Sequence, residues 1–428
     1  MTSDPLLSAT HKVRRHLLPF LMACYFVAYL DRVNVGFAAL TMNADLGLGP
    51  EAFGFTAGIF FLGYCLFEVP SNLILAKVGA RRWIARIMVT WGLVSIGMAF
   101  VTGATSLGFA RFLLGVAEAG FFPGLIYYLT NWVPAPQRAG TIAAFMMAVP
   151  VSAVVGAPLS GLILDTCNGV ANLKGWQWLF ILEALPAIAL GIAAAFVLKD
   201  SHQDAAWLTE PERGALSENI AAENAAKENA RSYSLREALT SPRMLALSLV
   251  YFGITTGLYS LTFWLPQIVK GFGLSNTMTG LVAAVPFLSG AIVMYFWGRH
   301  SDSTGERVWH VALPALMGGL ALIAGTQITS PAPALALLTI AAVGIFAALP
   351  VFWTLPAALL SGTAAAAGIA LINSTGNAGG FVGPYLVGWL KGQGLADGEA
   401  TGAIALFMIV SGVVMLAVGD GTDKGSKT

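Results

Sequence analysis

Arg32, in the run Tyr29-Leu30-Asp31-Arg32, is the residue of this chain best placed for binding chemistry. It sits inside an apolar stretch from Leu17 to about Leu40. An ion in the bilayer interior costs at least about 2.5–3.5 kcal/mol on insertion scales, so ionisable groups there mark a functional site or a fixed ion pair. A guanidinium offers a planar fork of donors that matches a carboxylate. On a helix, Tyr25, Tyr29, Arg32 and Gly36 follow spacings of 4, 3 and 4 and form one stripe. Asp31 lies about 100° round from Arg32. One face therefore presents a cation flanked by phenols, and the acid points at a neighbouring helix.

A second stripe, Arg111, Gly115, Glu118 and Phe122, repeats the 4-3-4 spacing. Arg111 and Glu118 stand about 10.5 Å apart along the axis, so each must find its partner across the bundle. Glu118 has no Lys or Arg within a turn of its own helix. A carboxyl that is neutral when buried and charged when wetted can carry a proton. Glu68 precedes Val69-Pro70 and Glu183 precedes Ala184-Leu185-Pro186, so both read as partners for backbone groups freed by a proline. The five histidines (His11, His16, His202, His300 and His310) all fall near one membrane face, which leaves proton chemistry to the carboxylates. Cys24, Cys65 and Cys167 have no pattern that suggests a disulfide framework or a metal site. Later in the chain the polar inventory is neutral: Tyr259, Phe263, Trp264 and Gln267, then Phe352 and Trp353, then Asn373 and Asn377. The two asparagines lie among Gly376, Gly379, Gly380 and Gly383, which permit close helix approach.

The elements that hold these residues follow from composition. Hydrophobic residues make up 57% of the 428 and charged residues 11%, with mean hydropathy +0.74. Soluble proteins are about 25% charged. The chain is therefore expected to be an all-α membrane protein, since continuous apolar runs satisfy their backbone only as helices and do not alternate as barrel strands do. Its lipid-facing surface makes the bilayer its main partner. The first run is too long, and too polar at its centre, for a cleaved signal sequence. A net charge of +1 argues against a nucleic-acid partner. No Ser/His pair, His/Asp/Glu metal cluster or appended soluble domain suggests an enzyme or a metal site.

Spans of about 20 residues number twelve in two six-helix halves. The expected layout is an N-terminus at 1–16, a first half at 17–198, a linker at 199–243, a second half at 244–419 and a tail at 420–428. Eighteen of the 23 Lys and Arg residues fall on segments that share a side with the N-terminus and three on the other side, while Arg32 and Arg111 lie within spans. By the positive-inside rule both termini are cytoplasmic. In the linker, Thr209-Glu210-Pro211-Glu212 reads as a capping box that opens a helix tying the halves together. A weak repeat relates Gly156-Ala157-Pro158 to Gly383-Pro384, and the loop after Val78 to the run Gly298, Asp302, Gly305, Arg307. Paired motifs in two halves suggest a site between them.

Four stretches, in order, resemble the anion:cation symporters of the major facilitator superfamily. They are Tyr29-Leu-Asp31-Arg32-Val-Asn34-Val-Gly36, Arg111-Phe-Leu-Leu-Gly115-Val-Ala-Glu118, Phe352-Trp353-Thr-Leu-Pro356 and Ile372-Asn373-Ser-Thr-Gly376-Asn377. The resemblance implies the major facilitator fold, with Arg32 on the substrate carboxylate. It implies proton sites at Asp31 and Glu118, and substrate contacts at Tyr29, Tyr64, Trp353 and Asn373, with Asn377 beside them. Arg111 supports as a further intramembrane charge, and Gly298, Asp302, Gly305 and Arg307 form a cytoplasmic gate motif. The first copy of that motif departs from the family: Asn72 and Ala76 stand where it has Gly and Asp. Val149-Pro150 stands where sugar-acid carriers have a glutamine. That points away from polyhydroxylated substrates, towards an aromatic acid, tartrate or another compact dicarboxylate.

The expectation is a secondary active transporter that imports a small organic anion with protons, without a cofactor, as a monomer in a bacterial inner membrane. The alternative is an exporter or exchanger of organic anions or amphiphiles, suggested by the partial glycine-proline pattern Gly156-Ala157-Pro158-x-x-Gly161.

Overall fold

A computed structural model describes residues 4–229, 241–328, 330–359 and 362–419. The expected tail at 420–428 and part of the linker lie outside the described residues. All regular structure among those described is helical.

Helix α1 spans Pro5–Asp45, so the first helix starts well before Leu17. Its start is defined by Pro5 at the first position and by Asp4, whose side chain accepts from Leu6 N at 3.0 Å. Ala9, Val13 and Leu17 are buried, and packing against the linker helix is what keeps this polar-flanked extension ordered. Helices α2 (Pro50–Val78) and α3 (Ala80–Met98) follow, then the fourth span in two pieces, α4 (Ala104–Glu118) and α5 (Phe121–Trp132). The break falls at Gly120, where φ is +82°, a conformation that favours glycine. The fifth span is also in two pieces, α6 (Ala135–Met146) and α7 (Ala148–Thr166), and α8 (Gly175–Val197) completes the first half. The linker contains α9 (Glu210–Asn229).

The second half comprises α10 (Pro242–Lys270), α11 (Asn276–Thr304), α12 (Val308–Gly325), α13 (Pro331–Leu359), α14 (Gly362–Gly392), α15 (Asp397–Gly402) and α16 (Ile404–Val418). Ten stretches among the described residues are long and apolar enough to cross a membrane. Helices α3 and α14 fill the third and eleventh places. Arg81, Arg82 and Arg86 dilute the hydropathy of α3, and glycine and asparagine that of α14.

The halves meet through α2 against α14, α7 against α11 and α1 against α10. One group of their polar contacts lies at the end opposite the linker. Asp165, at the end of α7, accepts from Asn276 Nδ2 at 2.8 Å, Thr277 N at 2.8 Å and Thr277 Oγ1 at 2.7 Å, at the start of α11. Trp264 Nε1 donates to Pro384 O at 3.1 Å at the same end.

The described bonds of the linker run to the first half, not evenly to both. Glu212 accepts from Ser8 Oγ at 2.7 Å, Lys12 Nζ at 2.8 Å and the Thr209 backbone N at 2.7 Å. Glu223 accepts from Arg138 Nη2 at 2.7 Å and Ala135 N at 2.8 Å. Burial acts against the charge of Glu212, but the bonds from Lys12, Ser8 and Thr209 outweigh it and hold the carboxyl down to about 2. At the α2–α3 turn, Asp200 accepts from Arg81 N at 2.9 Å, so an acid from the start of the linker stands at a loop that lacks one at Ala76.

Candidate anion and proton site

Near the middle of α1, Arg32 donates from Nε to Glu118 Oε1 at 2.8 Å, and its Nη2 donates to the same oxygen. Glu118 is 0% exposed and its Oε2 has no hydrogen-bond partner among the described residues. The meeting depends on α4 lying tight against α2. A Cβ placed on Gly115 would stand 2.0 Å from Phe60 O, so only glycine permits that approach. The same approach brings the Phe60 and Tyr64 rings to 5.5 and 5.2 Å from the Arg32 guanidinium. An aromatic face is a favourable neighbour for a desolvated cation. Tyr259 of α10 reaches the guanidinium from the other half.

Asp31 points elsewhere, as the helical stripe requires. It accepts from Ser95 Oγ of α3 at 2.5 Å and from Asn34 Nδ2 at 3.3 Å. No ion pair within 4 Å joins it to Arg32 or Arg111 among the described residues, although both cations act on it through space. The expectation that Arg111 and Glu118 each find a partner across the bundle has two different outcomes. Glu118 finds Arg32. Arg111 pairs with no carboxylate among the described residues: its Nη2 donates to Ala57 O at 2.9 Å and its guanidinium lies 4.9 Å from the Phe60 ring.

The other expected residues divide into those brought to this region and those held apart. Tyr64 is adjacent to Arg32. Tyr29 is buried, with its hydroxyl unpartnered among the described residues, and lies 6.4 Å from Tyr25 between ring centres. Tyr25 stacks on Phe122 and Phe145. Asn373 Nδ2 donates to Glu68 Oε1 at 2.7 Å, and Asn377 Nδ2 approaches Glu68 Oε2 at 3.5 Å. Both bonds cross from one half to the other. Trp353 packs edge-on against Tyr251 of α10, 4.8 Å between ring centres. The gate motif sits at the linker end of the second half: Asp302 pairs with Arg307 at 2.7 Å, Gly305 ends α11 with φ +71°, and Gly298 lies within α11. Beside it Glu306 is buried enough to disfavour its charge, yet the backbone N–H groups of Trp309 and His310 and the His310 ring hold it below the usual carboxylate range.

Sequence reasoning took Glu68 as a backbone partner near Pro70. The structure corrects that: its carboxyl faces the α14 asparagines, and it is Asn72 that bonds the Glu68 carbonyl, at 2.9 Å. The signal available was the i, i+4 spacing of Tyr64 and Glu68, which puts both on one face of α2. Ser95 gave no signal, because a serine in an apolar helix is ordinary.

Residues 21–384 match the sequence profile of the Major Facilitator Superfamily. The chain is 51% identical over 418 residues to a protein named putative tartrate transporter from Agrobacterium vitis, covering 98% of this chain and 96% of that one. It is 42% identical over 401 residues to a quinolone resistance transporter from Acinetobacter baumannii, covering 94% and 91%. The fold is similar to the crystal structure of a bacterial homologue of the human lysosomal transporter Spinster, inward-facing and unoccupied. That similarity has a TM-score of 0.75 and 17% identity, and covers 95% of this chain and 96% of that one.

Proposed function

This chain belongs to the Major Facilitator Superfamily, whose fold has twelve membrane helices in two halves, and from that premise we propose that it imports a small carboxylate together with protons. It is a multi-pass membrane transporter and not an enzyme. The observation that carries the reading is the Arg32–Glu118 pair: a guanidinium, a shape suited to carboxylates, held by a buried acid through one oxygen.

The proposed cycle uses that pair as an exchange. A proton on Glu118 removes its charge and loosens its hold on Arg32. The freed fork then takes the substrate carboxylate, between Tyr64 and Tyr259. When the proton leaves, Glu118 reclaims Arg32 and the anion is released. Asp31 accepts a second proton on its separate network. Two protons with a dicarboxylate that is a dianion at neutral pH carry no net charge, so this stoichiometry draws on the pH gradient; with a monoanion they carry one positive charge inward, worth about 2.3 kcal/mol at 100 mV. Glu68, Asn373 and Asn377 link the halves beside this site, so they are positioned to sense its occupancy. With the termini cytoplasmic, by the bias of Lys and Arg, the contacts of Asp165 close the outer side. The protein then releases substrate inward, working as a monomer in a bacterial inner membrane.

For substrate, the similarity to the putative tartrate transporter and the absence of a glutamine near Val149-Pro150 both favour a compact dicarboxylate. A second reading, export of an amphiphile, is favoured by the similarity to the quinolone resistance transporter and by Gly156-Ala157-Pro158. Proteoliposomes decide between them. Radiolabelled tartrate should accumulate under an inward proton gradient, and Arg32→Ala should abolish it. Gradient-driven movement of a quinolone in the opposite direction, with tartrate inert, would replace the import reading with export.

A further inference from the structure

A buried acid of the first half remains unused by the cycle above. Glu183, on α8, is 2% exposed. Its Oε1 accepts from Ser160 Oγ of α7 at 2.8 Å, and its Oε2 has no partner among the described residues. Prolines in α8 do not explain it, since its described bond is to a side chain of another helix. On the α1 side it faces Asn34, the same amide that donates to Asp31.

The donors in this cluster can be counted. Ser95 Oγ and Asn34 Nδ2 serve Asp31 Oδ1, and Ser160 Oγ serves Glu183 Oε1. Asp31 Oδ2, Asn34 Oδ1 and Glu183 Oε2 are all buried acceptors without a donor among the described residues. Two ionised carboxylates with three unserved oxygens is an arrangement that buried polar groups avoid. Arg111, whose Nε and Nη1 are themselves unpartnered, acts on Asp31 through space. No Lys or Arg pairs with Glu183 among the described residues. The helices packed against α8 carry Asp31 and Arg32 near mid-membrane on α1, Arg81, Arg82 and Arg86 towards the linker end of α3, and Asp165 at the far end of α7. Of these, Asp31 is the charge that acts on Glu183. One proton on Glu183 removes its charge and turns Oε2 from an unserved acceptor into a donor, leaving Asp31 as the ionised member of the two.

We propose that Glu183 is a third proton-binding carboxyl, and that Glu183 and Asp31 titrate as one coupled pair holding a single proton between them. The site described as Asp31 is then a carboxyl pair in which a charge on one member keeps the proton on the other. The transport consequence rests on the proton-coupled reading above: protons reach and leave Asp31 in competition with Glu183, on a network separate from the anion-binding arginine.

Infrared difference spectroscopy of the purified full-length protein tests the pair without substrate or gradient, so its result is independent of whether uptake is proton-coupled. At neutral pH the parent protein should show a carboxylic-acid C=O band that shifts in deuterium oxide, and Glu183→Gln should lose that band. In Asp31→Asn the neighbouring charge is gone, so the Glu183 band should fade at lower pH than in the parent. Asn34→Ala should keep both the band and its dependence on Asp31, because the coupling is between charges. If Glu183→Gln does not fold, the Asp31→Asn titration still tests the coupling. A Glu183 band absent at neutral pH, a fading point unmoved by Asp31→Asn, or a band that sodium chloride abolishes where choline chloride does not would overturn the proposal. The last would make the cluster a sodium site.

Discussion

Arg32 places two donors on one oxygen of Glu118, Nε at 2.8 Å and Nη2 beside it, and leaves Oε2 of that carboxyl free of partners among the described residues. A guanidinium can serve a carboxylate through two parallel bonds, one to each oxygen. Here it uses one oxygen only. An incoming carboxylate that accepts both parallel bonds gains what Glu118 does not fully take.

This gives the first prediction. Arg32→Lys keeps the charge and loses the fork. Hydrogen bonds to charged groups are worth about 1.5–3 kcal/mol, so tartrate uptake should show a KM raised roughly tenfold to a hundredfold. Unchanged KM in a proteoliposome assay would remove Arg32 from the anion site.

Glu118→Gln separates proton coupling from binding. The amide keeps an acceptor for Arg32 but carries no titratable proton. Uptake driven by an inward pH gradient should fall to background, while exchange of internal for external tartrate at equal pH should persist. Full gradient-driven accumulation in this variant would exclude Glu118 as a coupling site.

The contact between Asp165 and the start of α11 should set the conformational balance. Its three bonds join the halves at the end opposite the linker, the outer end in the proposed orientation, and a carboxylate at a helix N-terminus is favoured by the helix dipole. They are solvent-accessible, so each contributes about 0.5–1.5 kcal/mol. Asp165→Ala should shift the population several-fold towards an open outer side. Spin labels on the outer turns of the two halves would report this as a longer distance component; an unaltered distribution would mean that α2 and α14 alone hold that end shut.

Glu212 predicts an acid-sensitive linker. Its carboxyl is held down to about 2 from an ordinary 4.5. A depressed value means that its stabilising bonds to Lys12, Ser8 and Thr209 are intact above about 4.5 and are lost as pH falls through about 2. Proteolysis of the linker by an acid-active protease should accelerate across that window in the parent. In Glu212→Gln it should be fast throughout and nearly independent of pH.

Gly115→Ala tests the packing that assembles the site. The added methyl would stand 2.0 Å from Phe60 O, a backbone atom that cannot rotate away. Helices α2 and α4 must separate, moving Tyr64 and Glu118 apart. Overpacking of this kind costs about 1–3 kcal/mol, so the melting temperature should fall and transport should drop well beyond the loss of folded protein. Wild-type activity would show that the helix pair has slack.

Much of this protein was legible in its sequence because the bilayer leaves few choices. Continuous apolar runs had to become helices, and the cost of charge in hydrocarbon singled out Arg32, Asp31, Arg111 and Glu118. Helical spacing then separated Asp31 from Arg32, since neighbours in sequence differ by 100° on a helix. Spacing within one helix says nothing about which face meets which helix. Tertiary packing alone decided that Arg32 takes Glu118 while Arg111 takes a backbone carbonyl. It also put Glu68 against two asparagines about 300 residues away, and gave Glu183 a serine of another helix as its partner. The start of α1 at Pro5 was hidden for the same reason: polar flanking residues give no span signal, and the extension is helical because it docks on α9. Local sequence fixes which groups must find partners; the close approach of helices, as at Gly115, decides which partners they find.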